Sequence, residues 1–212
     1  MENNTTSKIS TDGLFRQNIV LMSGLVTAPI IVAATTFERA LILSISFFLI
    51  SYTTILVCRA IPRKIVYTIR IMLYAAVAAI MYIPTAMLLY RLFPDTLGQV
   101  ILYIELIVVN SLVLAKAESR FYLLPMGKMA IDVLIYILGY VMAAFSVGII
   151  RELLAYGTLF GYHICDELMP AAKSPFFGFL LVGIMAAVCR AINYRRRRIR
   201  TENSVMRKGA DS

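Results

Sequence analysis

One carboxylate stands where a carboxylate is expensive. Glu105 lies in the run Tyr103-Ile104-Glu105-Leu106-Ile107-Val108-Val109-Asn110-Ser111. In hydrocarbon such a group must be protonated, paired, or turned to a cavity. Two readings follow: a group that handles ions or protons, or a glutamate at the outer end of a short helix. Asn110 and Ser111 join Glu105 as candidates for an ion pathway, although such residues more commonly hydrogen-bond between helices. Glu118, Asp132, Arg151 and Glu152 read as interface charges that fix helix depth, and Asp132 can serve as a helix-end acid. Other chemistry is sparse. Cys58, Cys165 and Cys189 form no C-x-x-C pair, and an odd number cannot close a disulfide set. His163 has no partner at ligand spacing, so no metal site is expected. There is no G-x-G-x-x-G or G-x-x-x-x-G-K-[ST], and no loop is long enough to gather nucleophile, base and oxyanion donors.

The elements that position these residues follow from composition. Of 212 residues, 60% are apolar and 16% charged, and mean hydropathy is +0.79. Soluble domains carry roughly 45–50% apolar and about 25% charged residues. The surplus hydrocarbon excludes a soluble globule, a disordered chain and a coiled coil. The fold class expected is all-α: a polytopic membrane protein of six transmembrane helices. About 20 apolar residues cross a bilayer, and six such segments run at about 19–37, 40–58, 65–90, 99–115, 130–150 and 176–194. Gly24 and Pro29 should break or kink the first. The fourth is short and interrupted by Glu105 and Asn110. Gly139, Gly148, Gly178 and Gly183 should permit close helix contact. The longest link, 151–175, is expected partly along the membrane surface.

Lys and Arg fall unequally on alternate sides. One side carries 17 of the 21, including Arg195–Arg198; the other carries only Arg39, Arg91, Arg151 and Lys173. The positive-inside rule places the 17 in the cytoplasm, with both termini. The net charge of +9 therefore reads as a topology anchor that attracts anionic membrane lipids, with no nucleic-acid partner. Residues 1–17 read as a polar cytoplasmic tail without the apolar core of a cleaved signal. Residues 18–194 form the membrane domain, and 195–212 a basic cytoplasmic tail. Six spans also divide three plus three. The interrupted first and fourth helices would then open two halves of opposite topology, an inverted repeat.

Several stretches resemble a known family. The run from Asn18 to Pro29 is similar to its opening half-helix, and Ile104 to Ser111 to its fourth. Ala115-Lys116-Ala117-Glu118 resembles its R-A-E, and Ala130-Ile131-Asp132 its L-D-G. Arg151-Glu152-Leu153-Leu154-Ala155-Tyr156-Gly157-Thr158-Leu159 resembles R-E-[IL]-[IL]-G-N-G-T-L, the most specific match, and Ser174-Pro175-Phe176 precedes the last span as expected. The family is the Rnf/Nqr integral membrane subunits, nearest the RnfE (RsxE)/NqrD type, and the resemblance covers about residues 18–194.

That resemblance implies a six-helix subunit of a bacterial or archaeal plasma (inner) membrane. Its partners would be an RnfA/NqrE-type six-helix subunit of opposite topology and other Rnf/Nqr-type subunits. Such complexes couple electron flow between ferredoxin, NAD and quinone to Na⁺ or H⁺ movement. Flavins and further iron–sulfur clusters would sit on partner subunits. The six-helix pair would hold a [2Fe–2S] cluster at the midplane through cysteines of the half-helices. This sequence departs there: the G-L-C-P motif aligns on Val26-Thr27-Ala28-Pro29, and T-N-C on Val109-Asn110-Ser111. Clusters are held by thiolates. A methyl at Ala28 cannot ligate iron, and the hydroxyl of Ser111 is a poor substitute for sulfur. The chain is thus expected to carry no cofactor, no metal and no catalytic residue of its own. The alternatives are a divergent paralogue within such a complex, a cluster-free transporter or channel subunit on the same scaffold, and a structural or assembly subunit.

Overall fold

The computed structural model describes residues 18, 20–21, 24, 27–62, 64–108 and 125–210, with side chains as far as Arg195. Asn110, Ser111, Glu118 and residues 1–17 lie outside the described residues.

The helices are α1 (Thr27–Ala33), α2 (Phe37–Cys58), α3 (Tyr67–Leu92), α4 (Pro94–Val108), α5 (Met126–Tyr156) and α6 (Pro175–Ala210). A two-stranded hairpin, β1 (Thr158–Leu159) and β2 (Tyr162–His163), and a 3₁₀ turn at Pro170–Lys173 join the last two. Four helices are long and apolar enough to cross a membrane: α2, α3, α5 and the first part of α6, Pro175–Arg195. In the other two segments expected to span, the described residues cover α1 over 7 residues and α4 over 15.

Local chemistry sets these limits. Thr36 caps α2, its Oγ1 accepting the Arg39 N–H at 3.4 Å. The helix then runs 22 residues without Gly or Pro. Pro84 lies inside α3, where it removes a backbone donor. At the next residue, Thr85 Oγ1 donates to the Met81 carbonyl at 2.8 Å, a repair that membrane helices use. The fourth helix opens five residues before the expected span because Pro94 supplies the fixed φ and missing N–H suited to a first turn, and Asp95 favours that end. Ser174 and Pro175 start α6 in the same way, with Ser174 Oγ accepting the Phe177 N–H at 3.5 Å. Instead of stopping at 194, α6 continues to Ala210.

α2 and α5 form the central antiparallel pair. Phe37 meets Glu152, Phe47 stacks on Tyr140 at 3.9 Å, and Arg59 reaches Met129. At Gly148 an added Cβ would stand 2.8 Å from the Ala40 Cβ and 3.1 Å from the Thr36 carbonyl, so the crossing requires glycine. Gly178 also lies in a close contact, while Gly183 faces open space, contrary to its expected role. The most apolar windows of α2 and α5 are 56% and 50% buried; those of α3 and α6 are 17% buried. Met72, Ile80, Met87, Phe179 and Ile184 are therefore exposed. Water would not tolerate that surface; lipid or another membrane subunit would.

This core generates two predictions. Among the described residues the buried Tyr140 Oη has no hydrogen-bond partner, and an unmet hydroxyl costs about 1–3 kcal/mol. Tyr140→Phe should raise the thermal unfolding midpoint in detergent; a fall would reveal a partner and refute the packing described. Gly148→Val should lower the midpoint by about 1–3 kcal/mol equivalent through overpacking, and an unchanged midpoint would place the α2–α5 crossing elsewhere.

Candidate functional site

The opening segment is built around a buried amide. Asn18 is 2% exposed. Its Oδ1 accepts the N–H groups of Val20 and Leu21 at 2.9 and 3.1 Å, and its Nδ2 donates to the Gly139 carbonyl at 2.8 Å. Gly139 stands near the middle of α5. The turn that Asn18 caps closes with the Gly24 N–H on the Val20 carbonyl at 3.1 Å, and Gly24 ends it at φ 65°. The break expected in the first span therefore falls at Gly24, where a left-handed residue stops the turn. Pro29 does not kink α1: it occupies the first turn, whose N–H groups need no intrahelical acceptor.

α1 packs on α4. Ala28, in the first turn of α1, is exposed. On α4, Glu105 is exposed, and Tyr82 Oη of α3 donates to its Oε1 at 3.2 Å. Glu105 lies eleven residues into α4, about 16 Å along the axis, and Tyr82 lies well inside α3. The carboxylate thus lies opposite the middle part of α3.

The opposite feature is a buried cation. Arg151 is 0% exposed, although the sequence suggested an interface charge. Its Nε donates to the Ala172 carbonyl at 3.1 Å, and Nη1 to the carbonyls of Ile31 at 2.7 Å and Ala34 at 3.5 Å. Nη2 donates to those of Lys173 at 3.3 Å and Ser174 at 3.1 Å. One planar guanidinium thus ties the end of α1, the 3₁₀ turn and the start of α6 to α5. Gly178 makes room, since a Cβ there would lie 2.3 Å from the Ile31 carbonyl and 3.2 Å from Arg151 Nη1.

Glu152 is also buried, at 4%. Its Oε2 accepts the Phe37 N–H at 2.7 Å, and Thr158 Oγ1 donates to Oε1 at 3.4 Å. The carboxylate thereby takes a free donor at the positive end of α2. Beside it, Thr96 Oγ1 donates to Glu38 Oε1 at 2.7 Å, and Arg39 donates to Thr35 Oγ1 at 2.6 Å and to Gln99 Oε1. Glu38, Arg39 and Glu152 line a cleft of about 720 Å³ with Phe37, Tyr156 and Phe160. Gly157 closes α5 at φ 63°, and a Cβ there would lie 1.8 Å from the Cys165 carbonyl. The link after α5 is therefore a folded cap, and the helix itself runs six residues past the expected span. Asp132 is buried in the second turn of α5, and His163 is exposed on β2.

Among the described residues the cysteines lie far apart. Ala28 offers a methyl. Cys58 ends α2 at one end of the α2–α5 pair, Cys165 follows β2 at the other, and Cys189 lies on α6. Among the described residues no three His, Cys, Asp or Glu side chains converge as a metal site. Sequence reasoning missed Asn18 as an anchor and the five-carbonyl role of Arg151. Asn18 ahead of a short apolar turn was a readable cap signal; no local signal identifies the carbonyls, which come from residues up to 120 positions away.

Comparison with known proteins agrees with this architecture. Residues 6–187 match the family described as "Rnf-Nqr subunit, membrane protein". The chain is 31% identical over 220 aligned residues to the E-type subunit of the ion-translocating oxidoreductase complex of Rhodobacter capsulatus, covering 95% of this chain and 89% of that protein. It is 30% identical over 161 residues to the protein of the same name from Pseudoalteromonas atlantica, covering 74% and 68%. For that of Edwardsiella ictaluri the identity is 27% over 212 residues, covering 92% and 89%.

The Arg151 junction makes a sharp prediction. Arg151→Met leaves several carbonyls without donors, at about 1–3 kcal/mol each. Arg151→Lys should fail nearly as badly, because one ammonium cannot serve carbonyls on three elements. Both variants should lose at least about 3 kcal/mol of stability in detergent and become sensitive to protease between Gly161 and Ser174. Wild-type behaviour of Arg151→Lys would reduce the junction to a simple charge effect.

Proposed function

The chain belongs to the Rnf-Nqr family of membrane subunits, and from that membership we propose that it is a non-catalytic integral subunit of an ion-translocating electron-transport complex of the plasma membrane. Its relatives are named as the E-type member of an ion-translocating oxidoreductase complex. In a 3+3 inverted repeat α1 and α4 would be the opening helices of the two halves, and they pack on each other. Arg39, Arg91, Arg151 and Lys173 all belong to the end of the bundle opposite Cys58. On the positive-inside rule that end is outside, and both termini are cytoplasmic. An RnfA/NqrE-type subunit of opposite topology would complete the pair, with flavins and iron–sulfur clusters on other subunits.

Within that complex the chain is a divergent form that supplies no ligand to a midplane [2Fe–2S] cluster. Ala28 carries this reading: it fills the first ligand position with a methyl, and that position lies in the first turn of α1. Asn110 and Ser111 would contribute to an ion path within that complex. The electron route through this subunit would be absent or carried by others.

The experiment is purification of the complex in mild detergent, identification of the copurifying proteins, and quantitation of iron, acid-labile sulfide and flavin. Flavin- and ferredoxin-like subunits should copurify, and Ala28→Val should leave iron and sulfide unchanged. A loss of one two-iron cluster in Ala28→Val would overturn the cluster-free reading. Absence of any redox subunit would favour the transporter alternative.

A further inference from the structure

The position of Glu105 says more than its type. On α4 it stands among Leu102 and Leu106, which are 68% and 56% exposed, so the carboxylate belongs to an outward apolar stripe. Tyr82 gives it one hydrogen bond. A carboxylate accepts several, and among lipid chains no water supplies the rest. Left to lipid, a carboxylate is costly to bury without polar partners. Immediately along the stripe lies an apolar groove of about 710 Å³ between α3 and α4, lined by Pro84, Met87, Leu88, Leu97 and Ile101. Ile101 is one helical turn from Glu105, so the groove leads to the carboxylate from the end bearing Arg91.

A second copy of the chain does not complement this face. Among the described residues, the other charges of α3 and α4 are Arg70, Arg91 and Asp95, all near helix ends. α5 carries its charges in its first two and last two turns, and those of α6 lie beyond Val188. No described cation of this chain stands at the depth of Glu105. Among the described residues the complement is missing, and a helix of another protein packed on this face can supply it.

We infer that the α3–α4 face is the docking surface for a different membrane subunit, whose apolar helix presents one Lys or Arg side chain to the Glu105–Tyr82 pair. This rests on the reading of the chain as one subunit of a larger assembly, and it deepens that reading by naming the surface and the chemistry of the partner. The apolar groove provides area, the carboxylate provides register, and the absent counter-charge makes the contact heterologous.

The test places a photoreactive amino acid at Leu102, one turn from Glu105, in the full chain in its native membranes. Irradiation and peptide mapping should give an adduct on a membrane helix of another protein, within one turn of a Lys or Arg. Glu105→Gln should cut that adduct at least tenfold, about 1.4 kcal/mol, and Glu105→Asp should retain most of it. Adducts with lipid alone, with a second copy, or with a helix lacking a basic residue would overturn the inference, as would an adduct unaffected by Glu105→Gln. Should Glu105→Gln fail to accumulate, the wild-type adduct map decides alone. Lipid labelling in a complex that retains redox subunits would sink the docking face and leave the proposed function standing. A basic helix from a protein outside any electron-transfer assembly would do the reverse.

Discussion

The contacts at one end of this molecule centre on a guanidinium that bonds backbone carbonyls and, among the described residues, no carboxylate. Arg151 is wholly buried, and five backbone carbonyls surround it. Carbonyls at the ends of short helices lack intrahelical donors, and in a membrane protein water cannot be counted on to provide them. α1 is too short to be stable alone. Its terminal carbonyls, the 3₁₀ turn and the start of α6 therefore share one donor set. The neighbouring Glu152 performs the inverse task, accepting the Phe37 N–H at the start of α2. Two adjacent residues of α5 thus satisfy opposite helix ends. Gly178 and Gly148 belong to the same design, because any side chain there would push backbone away from these contacts.

What the sequence disclosed follows the reach of each signal. Long apolar runs are visible locally, so the apolar parts of α2, α3, α5 and α6 sit within a few residues of the spans read from composition. The first and fourth segments are also apolar, yet they differ in structure. Their deciding features are single residues: Asn18 capping a turn, Gly24 ending it, and Pro94 starting α4 early. Arg151 and Glu152 were noticed, but as charges setting helix depth. Several of their partners come from residues more than 100 positions away, and no local pattern encodes such pairing. Glu105 was legible as an anomaly, whereas its place on an exposed stripe required the packing of α4 against α3.

The segment before α1 brings non-helical backbone, at Asn18 and Gly24, against the middle of α5. Such backbone is tolerated only where protein or a cavity covers it. The Asn18 amide does this for the first segment by bonding both its own turn and the Gly139 carbonyl. A methyl at Ala28 leaves that region with sterics and hydrogen bonds alone. On α4 the chemistry among the described residues is a carboxylate bonded to a phenol, Glu105 and Tyr82.

The Asn18–Gly139 bond also has a consequence for synthesis. Its two ends are 121 residues apart, and a ribosome adds roughly 5–20 residues per second. The amino-terminal turn therefore emerges on the order of ten seconds before its acceptor exists. During that interval its amide must find temporary shelter, in the insertion machinery or at the lipid headgroups. The first segment of the chain to be made is thus among the last to be locked in place.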